Sequence, residues 1–224
     1  MRVLDEVGRP EPPVAARELA TLLGFLDYQR ATLDWKTRGL DAAGLQATVG
    51  VSAITLGGLR KHLAYVEDYW FSRRLRKRDP ELAWVTAEWN ADSYWGWRPM
   101  SEETYEQLYA NWHQAMTHSR KMADTSLAEG GLDVLSRQPP PNGESLSLRW
   151  IVVLMIEEYA RHNGHADLVR ELELAPIGSV DDIDGGTGGP AATADHAWPP
   201  RILSRLLSAP RVRHHLLAQA LSGR

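Results

Sequence analysis

Residues 157–165 read EEYARHNGH and lie inside a longer helical pattern that decides the fold of this chain. Apolar residues flank the stretch at helical spacing: Ile151, Leu154, Met155, Leu168, Val169 and Leu172. When this apolar face is continued through the stretch, it passes over Glu158, His162 and His165. An unpaired buried carboxylate is costly, so the pattern predicts a positive partner for Glu158, and a metal cation is the simplest one. Arg161 and Arg30 are the alternative partners.

A second helix, predicted over residues 55–77, carries one more possible ligand. Its apolar face contains Leu56, Leu59, Leu63, Val66, Tyr69 and Trp70. His62 falls on the same face. Two helices facing each other across a core would bring His62 against Glu158 and His162, which project together because they are one turn apart. Such a two-histidine, one-carboxylate site leaves positions open for water or substrate, and both zinc and ferrous iron suit it.

Composition narrows the class of protein. The chain has 224 residues, of which 43% are hydrophobic, enough for one buried domain plus an appendage. With 25 basic and 29 acidic residues and no basic cluster, nucleic-acid binding is not expected. Cysteine is absent, which excludes disulfides, thiolate ligands and a cysteine nucleophile. The proline-rich start is not typical of a signal peptide and no apolar run suits a membrane span, so a cytoplasmic location is expected.

Four long helices are predicted and no alternating strand pattern competes with them. Their expected ranges are 14–38, 55–77, 102–129 and 146–173. Ser101 and Ser145 are the predicted N-caps of the last two, and Gly130-Gly131 and the prolines at 139–141 are the predicted breaks. Long helices joined by loops favour an all-α four-helix bundle over residues 1–175.

The C-terminal part has a different composition. Residues 176–195 are rich in Gly, Asp, Thr and Ala and are predicted to be a flexible linker. Residues 196–224 regain helical spacing and are predicted to form an amphipathic helical extension. Its apolar side needs a partner, either the bundle near its open end or a second subunit, so a homodimer is one expectation. In the loop of residues 79–100, Trp84, Trp89, Trp95 and Trp97 suggest either packing or an aromatic-lined pocket.

Three motifs resemble the DinB-like superfamily, in the branch that includes actinobacterial mycothiol-dependent enzymes. They are GFLDYQR at residues 24–30, the TL…HLAYVE…YWF segment at residues 55–71, and LRW…EEYARHNGHADL at residues 148–168. The resemblance covers roughly residues 15–175. It implies a four-helix bundle with a divalent metal bound by a histidine of the second helix and two ligands of the fourth. The similar thiol-dependent maleylpyruvate isomerases use His, Glu and His, which match His62, Glu158 and His162.

Further site residues are predicted around these ligands. His165 and Arg30 are the candidate catalytic residues; for His165 the alternative is a structural hydrogen bond, and for Arg30 it is packing or ion pairing. Residues expected to line a cosubstrate pocket, with plain packing or ion pairing as the alternative, are Tyr28, Tyr69, Arg73 and Trp150. The metal is expected to be zinc, with iron, nickel and manganese also compatible, because a carboxylate makes the ligand set harder than three histidines would.

Three functions are compatible with the sequence. The first is a metal-dependent transferase that activates a low-molecular-weight thiol such as mycothiol for attack on a small electrophile; a metal stabilises the nucleophilic thiolate. The second is an isomerase, lyase or hydrolase that uses the metal as a Lewis acid without a thiol. The third is a non-enzymatic, metal-stabilised bundle that recruits a partner.

Overall fold

The computed structural model describes residues 3–79, 103–139 and 143–174, all of which belong to the unit Met1–Ala175. The helices are α1 (Glu18–Thr37), α2 (Ala42–Gln46), α3 (Leu56–Glu67), a π-helical segment (Asp68–Leu75), α4 (Tyr105–Gly130) and α5 (Leu148–Leu174). The described residues contain isolated β-bridges but no strand. The prediction of an all-α helical bundle is confirmed. Among the described helices, none is both long and apolar enough to cross a membrane.

Contacts along the helices give their relative directions. Near the start of α1, Glu18 pairs with Arg149 near the start of α5 at 2.7 Å. Further along, the Asn163 amide donates to the Gln29 carbonyl at 2.9 Å, so α1 and α5 run parallel. Arg60 of α3 pairs with Asp34 of α1, and Glu67, later in α3, pairs with Arg30, earlier in α1. α3 therefore runs antiparallel to α1. α3 packs most extensively against α4 and also contacts α5 and α1.

α3 is buried on every side, which exceeds the one-sided burial that the apolar stripe predicted. All twelve of its residues are buried, charged ones included. Those charges find partners: Arg60 pairs with Asp34 at 3.0 Å and Lys61 with Glu103 at 3.0 Å. A helix that places charges in the interior keeps them only when they are paired. Burial on all sides also places His62 within the core.

The second predicted helix, over residues 55–77, proves to be two segments. It begins at a Thr55 cap, whose side chain accepts from the Gly58 N–H at 2.9 Å. After Glu67 the hydrogen bonding changes to the π pattern for eight residues, Asp68–Leu75. π-Helical turns inside α-helices are rare and occur frequently at functional sites. The apolar stripe alone gave no sign of this change.

The starts of α4 and α5 differ from the predicted caps. Thr104 caps α4 in a capping box with Gln107, and the predicted cap Ser101 lies outside the described residues. The prediction of Ser145 as the cap of α5 is wrong, because the hydroxyl of Ser147 accepts from the Trp150 N–H at 3.2 Å. A bridge between Leu135 and Ser147 keeps the chain extended up to that residue, which delays the helix start.

Most core positions predicted on the second and fourth helices are buried, and Leu168 is a clear exception. Ile151, Met155 and Val169 of α5 are almost fully buried, as the stripe predicted. Leu168 is 55% exposed, because six residues beyond His162 place it about 120° away from that face. The four tryptophans of the predicted loop, the linker 176–195 and the extension 196–224 lie outside the described residues.

Candidate metal centre

Two antiparallel helices bring the three predicted ligands together. His62 lies in the second turn of α3, and Glu158 and His162 lie one turn apart on α5. The Glu158 Oε2 atom is 3.4 Å from His162 Nε2 and 3.7 Å from His62 Nε2. The two imidazole rings meet edge to face, with centroids 4.8 Å apart. All three residues are buried, with at most 5% of their surface exposed.

The charge states of this cluster follow from its surroundings. Burial alone would raise the pKa of the Glu158 carboxyl, but the hydrogen-bonding groups of His162 and His62 outweigh it and hold that pKa well below its usual range. Burial lowers the pKa of His162 to about 4, although Glu158 opposes the shift. Near neutral pH the cluster therefore contains an ionised carboxylate and a neutral His162 imidazole, which are the protonation states that bind metals.

The donor set fits a divalent cation. Ligand atoms at about 2.1 Å from a tetrahedral cation lie roughly 3.4 Å from one another. One atom of each residue lies within 4.8 Å of the other two, and two of the separations are 3.4 and 3.7 Å. The Glu158 Oε1 atom is buried and has no hydrogen-bond partner in the described part of the chain. A cation bound to the carboxylate would compensate for the burial of this oxygen.

The arginine alternatives for Glu158 are occupied elsewhere. Arg161 pairs with Glu157 at 2.8 Å, on the outer side of α5. Arg30 donates from Nε and Nη2 to the two carboxylate oxygens of Glu67, each at 2.7 Å. The ion-pair alternative for Arg30 is therefore what the structure shows, while its catalytic role stays a prediction. Glu67 was not predicted as this partner, although an arginine on an apolar face was a signal for a buried acid.

His165 lies next to the cluster but is not one of its three candidate ligands. Its Nδ1 atom is 3.2 Å from His162 Nδ1, and its side chain is half-buried. Burial lowers the pKa of His165, and the neighbouring His162 and Arg161 lower it further. The position is compatible with both predicted roles, a structural hydrogen bond and proton transfer.

The residues predicted to line a cosubstrate pocket fall into two groups. Tyr69 and Trp150 both pack edge-on against Trp70, with centroids 5.0 and 5.7 Å away, and Arg73 lies over the Tyr69 ring. Trp150 precedes Glu158 by two helical turns, so this aromatic group is centred roughly 12 Å along the axis from the metal ligands. Tyr28 is separate and stacks under the Arg9 guanidinium. Their cosubstrate role stays a prediction.

A cavity of about 790 Å³ opens elsewhere on the bundle. Its walls come from the N-terminal segment, α1, the π-helical segment and α4. Arg30 lines it, whereas His62, Glu158 and His162 do not. The cavity is thus separate from the candidate metal centre.

The fold and the cluster together define a helical-bundle protein with a buried two-histidine, one-glutamate centre. Within that class the chain belongs to the family described as Mycothiol-S-transferase, whose model matches residues 21–173. The matched range contains all three candidate ligands and implies a transferase enzyme. No curated protein matches the chain.

Proposed function

We propose that this protein is a metal-dependent S-transferase that uses mycothiol to attack a small electrophile. The observation that carries the proposal is the convergence of His62, Glu158 and His162 inside a bundle of the mycothiol-S-transferase family. The family supplies the thiol and the reaction class. The cluster supplies a place where a divalent cation fits.

Each residue of the cluster has a defined part in this proposal. The two imidazoles of His62 and His162 and the carboxylate of Glu158 would hold the cation, leaving one position open in a four-coordinate site. A bound cation would favour the thiolate form of the cosubstrate, which is the nucleophilic form. Glu158 would reduce the net charge of the site, and the burial of all three residues would limit their contact with bulk water. His165, on the same helix, lies with its Nδ1 atom 3.2 Å from His162 Nδ1.

The overall reaction forms one carbon–sulfur bond. The thiol sulfur attacks an electrophilic carbon and the thiol gives up its proton. The electrophile either expels a leaving group or takes up that proton, according to its structure. The chain itself provides no thiol, because it has no cysteine, so the sulfur has to come from the cosubstrate.

The test is consumption of an electrophile by the metal-loaded protein. An aryl halide that changes colour on substitution is the probe, offered with mycothiol, bacillithiol, glutathione or coenzyme A, and with zinc, iron, nickel or manganese in turn. The expected result is protein-dependent substitution with mycothiol and a much slower reaction with the other thiols. His62→Ala should abolish the protein-dependent rate, and His113→Ala, on the exposed face of α4, should keep it.

Two outcomes would overturn the proposal. Absence of thiol-dependent substitution with any of these thiols, across several electrophile classes and with the metal bound, removes the transferase. Full activity after His62→Ala removes the metal dependence. Turnover of an oxygen-bearing substrate without any thiol would instead favour the Lewis-acid alternative.

A further inference from the structure

Two histidines of α5 form a contact that the proposed function does not explain. His162 Nδ1 lies 3.2 Å from His165 Nδ1, and the ring centroids are 5.3 Å apart. Two ring nitrogens at this distance share one proton between them, because a hydrogen bond needs one N–H donor and one bare acceptor. The tautomers of the two rings are therefore coupled. When one Nδ1 carries the proton, the other cannot.

The other nitrogen of His162 decides the direction of this hydrogen bond. His162 Nε2 faces Glu158 Oε2 at 3.4 Å. Beside a carboxylate and without a cation, Nε2 carries the proton, so Nδ1 is bare and accepts from the Nδ1–H of His165. A cation at Nε2 requires that nitrogen to be bare. The proton of His162 then lies on Nδ1, and the hydrogen bond to His165 reverses.

We infer that His165 is a positioning residue of the metal centre, which accepts the Nδ1 proton of His162 and so fixes the tautomer that binds the cation. The inference rests on the proposed function only in that it places a cation at His162 Nε2. Protons balance in the exchange. His162 loses its Nε2 proton to solvent and receives the Nδ1 proton of His165, while His165 takes up one proton from solvent at Nε2.

An imidazole in this position differs from the usual partner of a metal-bound histidine. Such a histidine commonly donates its second N–H to a carboxylate, a backbone carbonyl or a water. Those oxygen acceptors do not change when the metal binds. His165 does change: its Nε2, on a half-buried side chain, turns from an acceptor into a donor. Occupancy of the buried centre is thereby coupled to the tautomer of a half-buried side chain.

The first test is zinc affinity, measured by competition with a chromophoric chelator. His165→Phe removes the acceptor and should weaken zinc binding about 10- to 100-fold. His165→Gln offers an amide oxygen to the same N–H and should recover part of that loss. His113→Phe, on exposed α4 surface, should bind zinc like the wild type. Thermal unfolding of the zinc-free variants separates this effect from a loss of fold. Unchanged affinity in His165→Phe, or equal loss in the Phe and Gln variants, overturns the inference.

The second test observes the tautomers directly. Long-range ¹H–¹⁵N spectra of protein labelled at histidine, assigned with the His165→Gln variant, distinguish Nδ1–H from Nε2–H rings. Zinc loading should move the His162 proton from Nε2 to Nδ1 and the His165 proton from Nδ1 to Nε2. Identical His165 tautomers with and without zinc overturn the inference and leave the proposed function standing. A wild-type protein that binds none of the divalent cations would overturn both.

Discussion

Arg30 and Glu67 meet inside the bundle through two parallel hydrogen bonds, Nε to Oε1 and Nη2 to Oε2, each 2.7 Å long. The Tyr159 hydroxyl donates to the same carboxylate at 2.8 Å, and the Trp112 indole donates to that hydroxyl at 2.9 Å. One hydrogen-bond network centred on this carboxylate therefore joins four helices. Tyr159 directly follows Glu158, so this network fixes the rotation of α5 at the candidate metal ligands.

Removing one partner of this ion pair should be costly. Glu67→Gln leaves the Arg30 guanidinium buried without its main counter-charge, and we expect it to lower the free energy of unfolding by about 3 kcal/mol or more. Replacing both partners, with Arg30→Met and Glu67→Leu together, should cost less than Glu67→Gln alone. Urea unfolding of the metal-free protein measures both. As a control, Glu157→Gln breaks the partly exposed pair with Arg161 and should change stability by less than about 1 kcal/mol. Similar losses for Glu67→Gln and Glu157→Gln would contradict the expectation.

The candidate ligands predict a defined metal content. Purified protein should contain about one divalent ion per chain. His62→Ala and His162→Ala should each reduce that content to background, because two remaining donors bind too weakly. Glu158→Gln preserves the shape and removes the charge, and should also lose the ion. Elemental analysis after dialysis measures the content, with His113→Ala as the control. Full occupancy in both histidine variants would exclude this site.

The lowered pKa of His162 predicts that the metal-free protein is less stable in acid. The pKa is about 4 in the folded protein, against an ordinary value of 6.5, so between these values the unfolded chain binds the proton and the folded chain does not. Stability therefore falls as the pH falls from 6.5 to 4, by up to roughly 1.4 kcal/mol per pH unit. Below pH 4.5 protonation of Glu158 adds a loss in the same direction. Urea midpoints measured between pH 7 and 4 test this. In His162→Gln the slope above pH 4.5 should be shallower, and an equal slope would assign the effect to other groups.

Two helical glycines form a matched pair for a packing prediction. A Cβ on Gly24 of α1 would lie 2.5 Å from the Pro13 Cδ atom, whereas a Cβ on Gly164 of α5 would meet nothing within 4 Å. Gly164→Ala should stabilise the protein by about 0.5–1 kcal/mol through helix propensity. Gly24→Ala should lose that gain, because the N-terminal segment has to move away from α1. Thermal unfolding of both variants tests the pair; equal stabilisation would mean that Pro13 yields at no cost.

The sequence was sufficient to predict the cluster because helical periodicity reports which face is buried. A glutamate and a histidine one turn apart on an apolar face of α5, and a histidine on an apolar face of the second helix, indicated one shared interior. The pairing of Arg30 with Glu67 was not predictable in the same way. Which side chains meet across helices depends on axial offsets and rotations, and these follow from the packing of all four helices together.

Local hydrogen bonding accounts for the other differences. The choice of Ser147 over Ser145 as the cap of α5 depends on a bridge to Leu135, a residue outside that helix. The contact between His162 and His165 depends on rotamers, because residues three apart share a face without necessarily touching. Leu168 is exposed because it lies about 120° around α5 from His162, whereas Val169 stays within the buried face.

The π-helical segment sets the rotation about the helix axis between His62, which precedes it, and Arg76, which follows it. Each i→i+5 hydrogen bond takes up one residue more than an α-turn, and one residue is about 100° of rotation. An unbroken α-helix from Leu56 would present its last turn in another direction. With the segment Asp68–Leu75 in place, His62 faces α5 at one end, while Arg76 reaches Glu129 of α4 at 2.6 Å at the other. Deleting one residue of this segment would turn either His62 away from α5 or Arg76 away from Glu129. The candidate metal centre and this ion pair therefore both depend on the length of the segment.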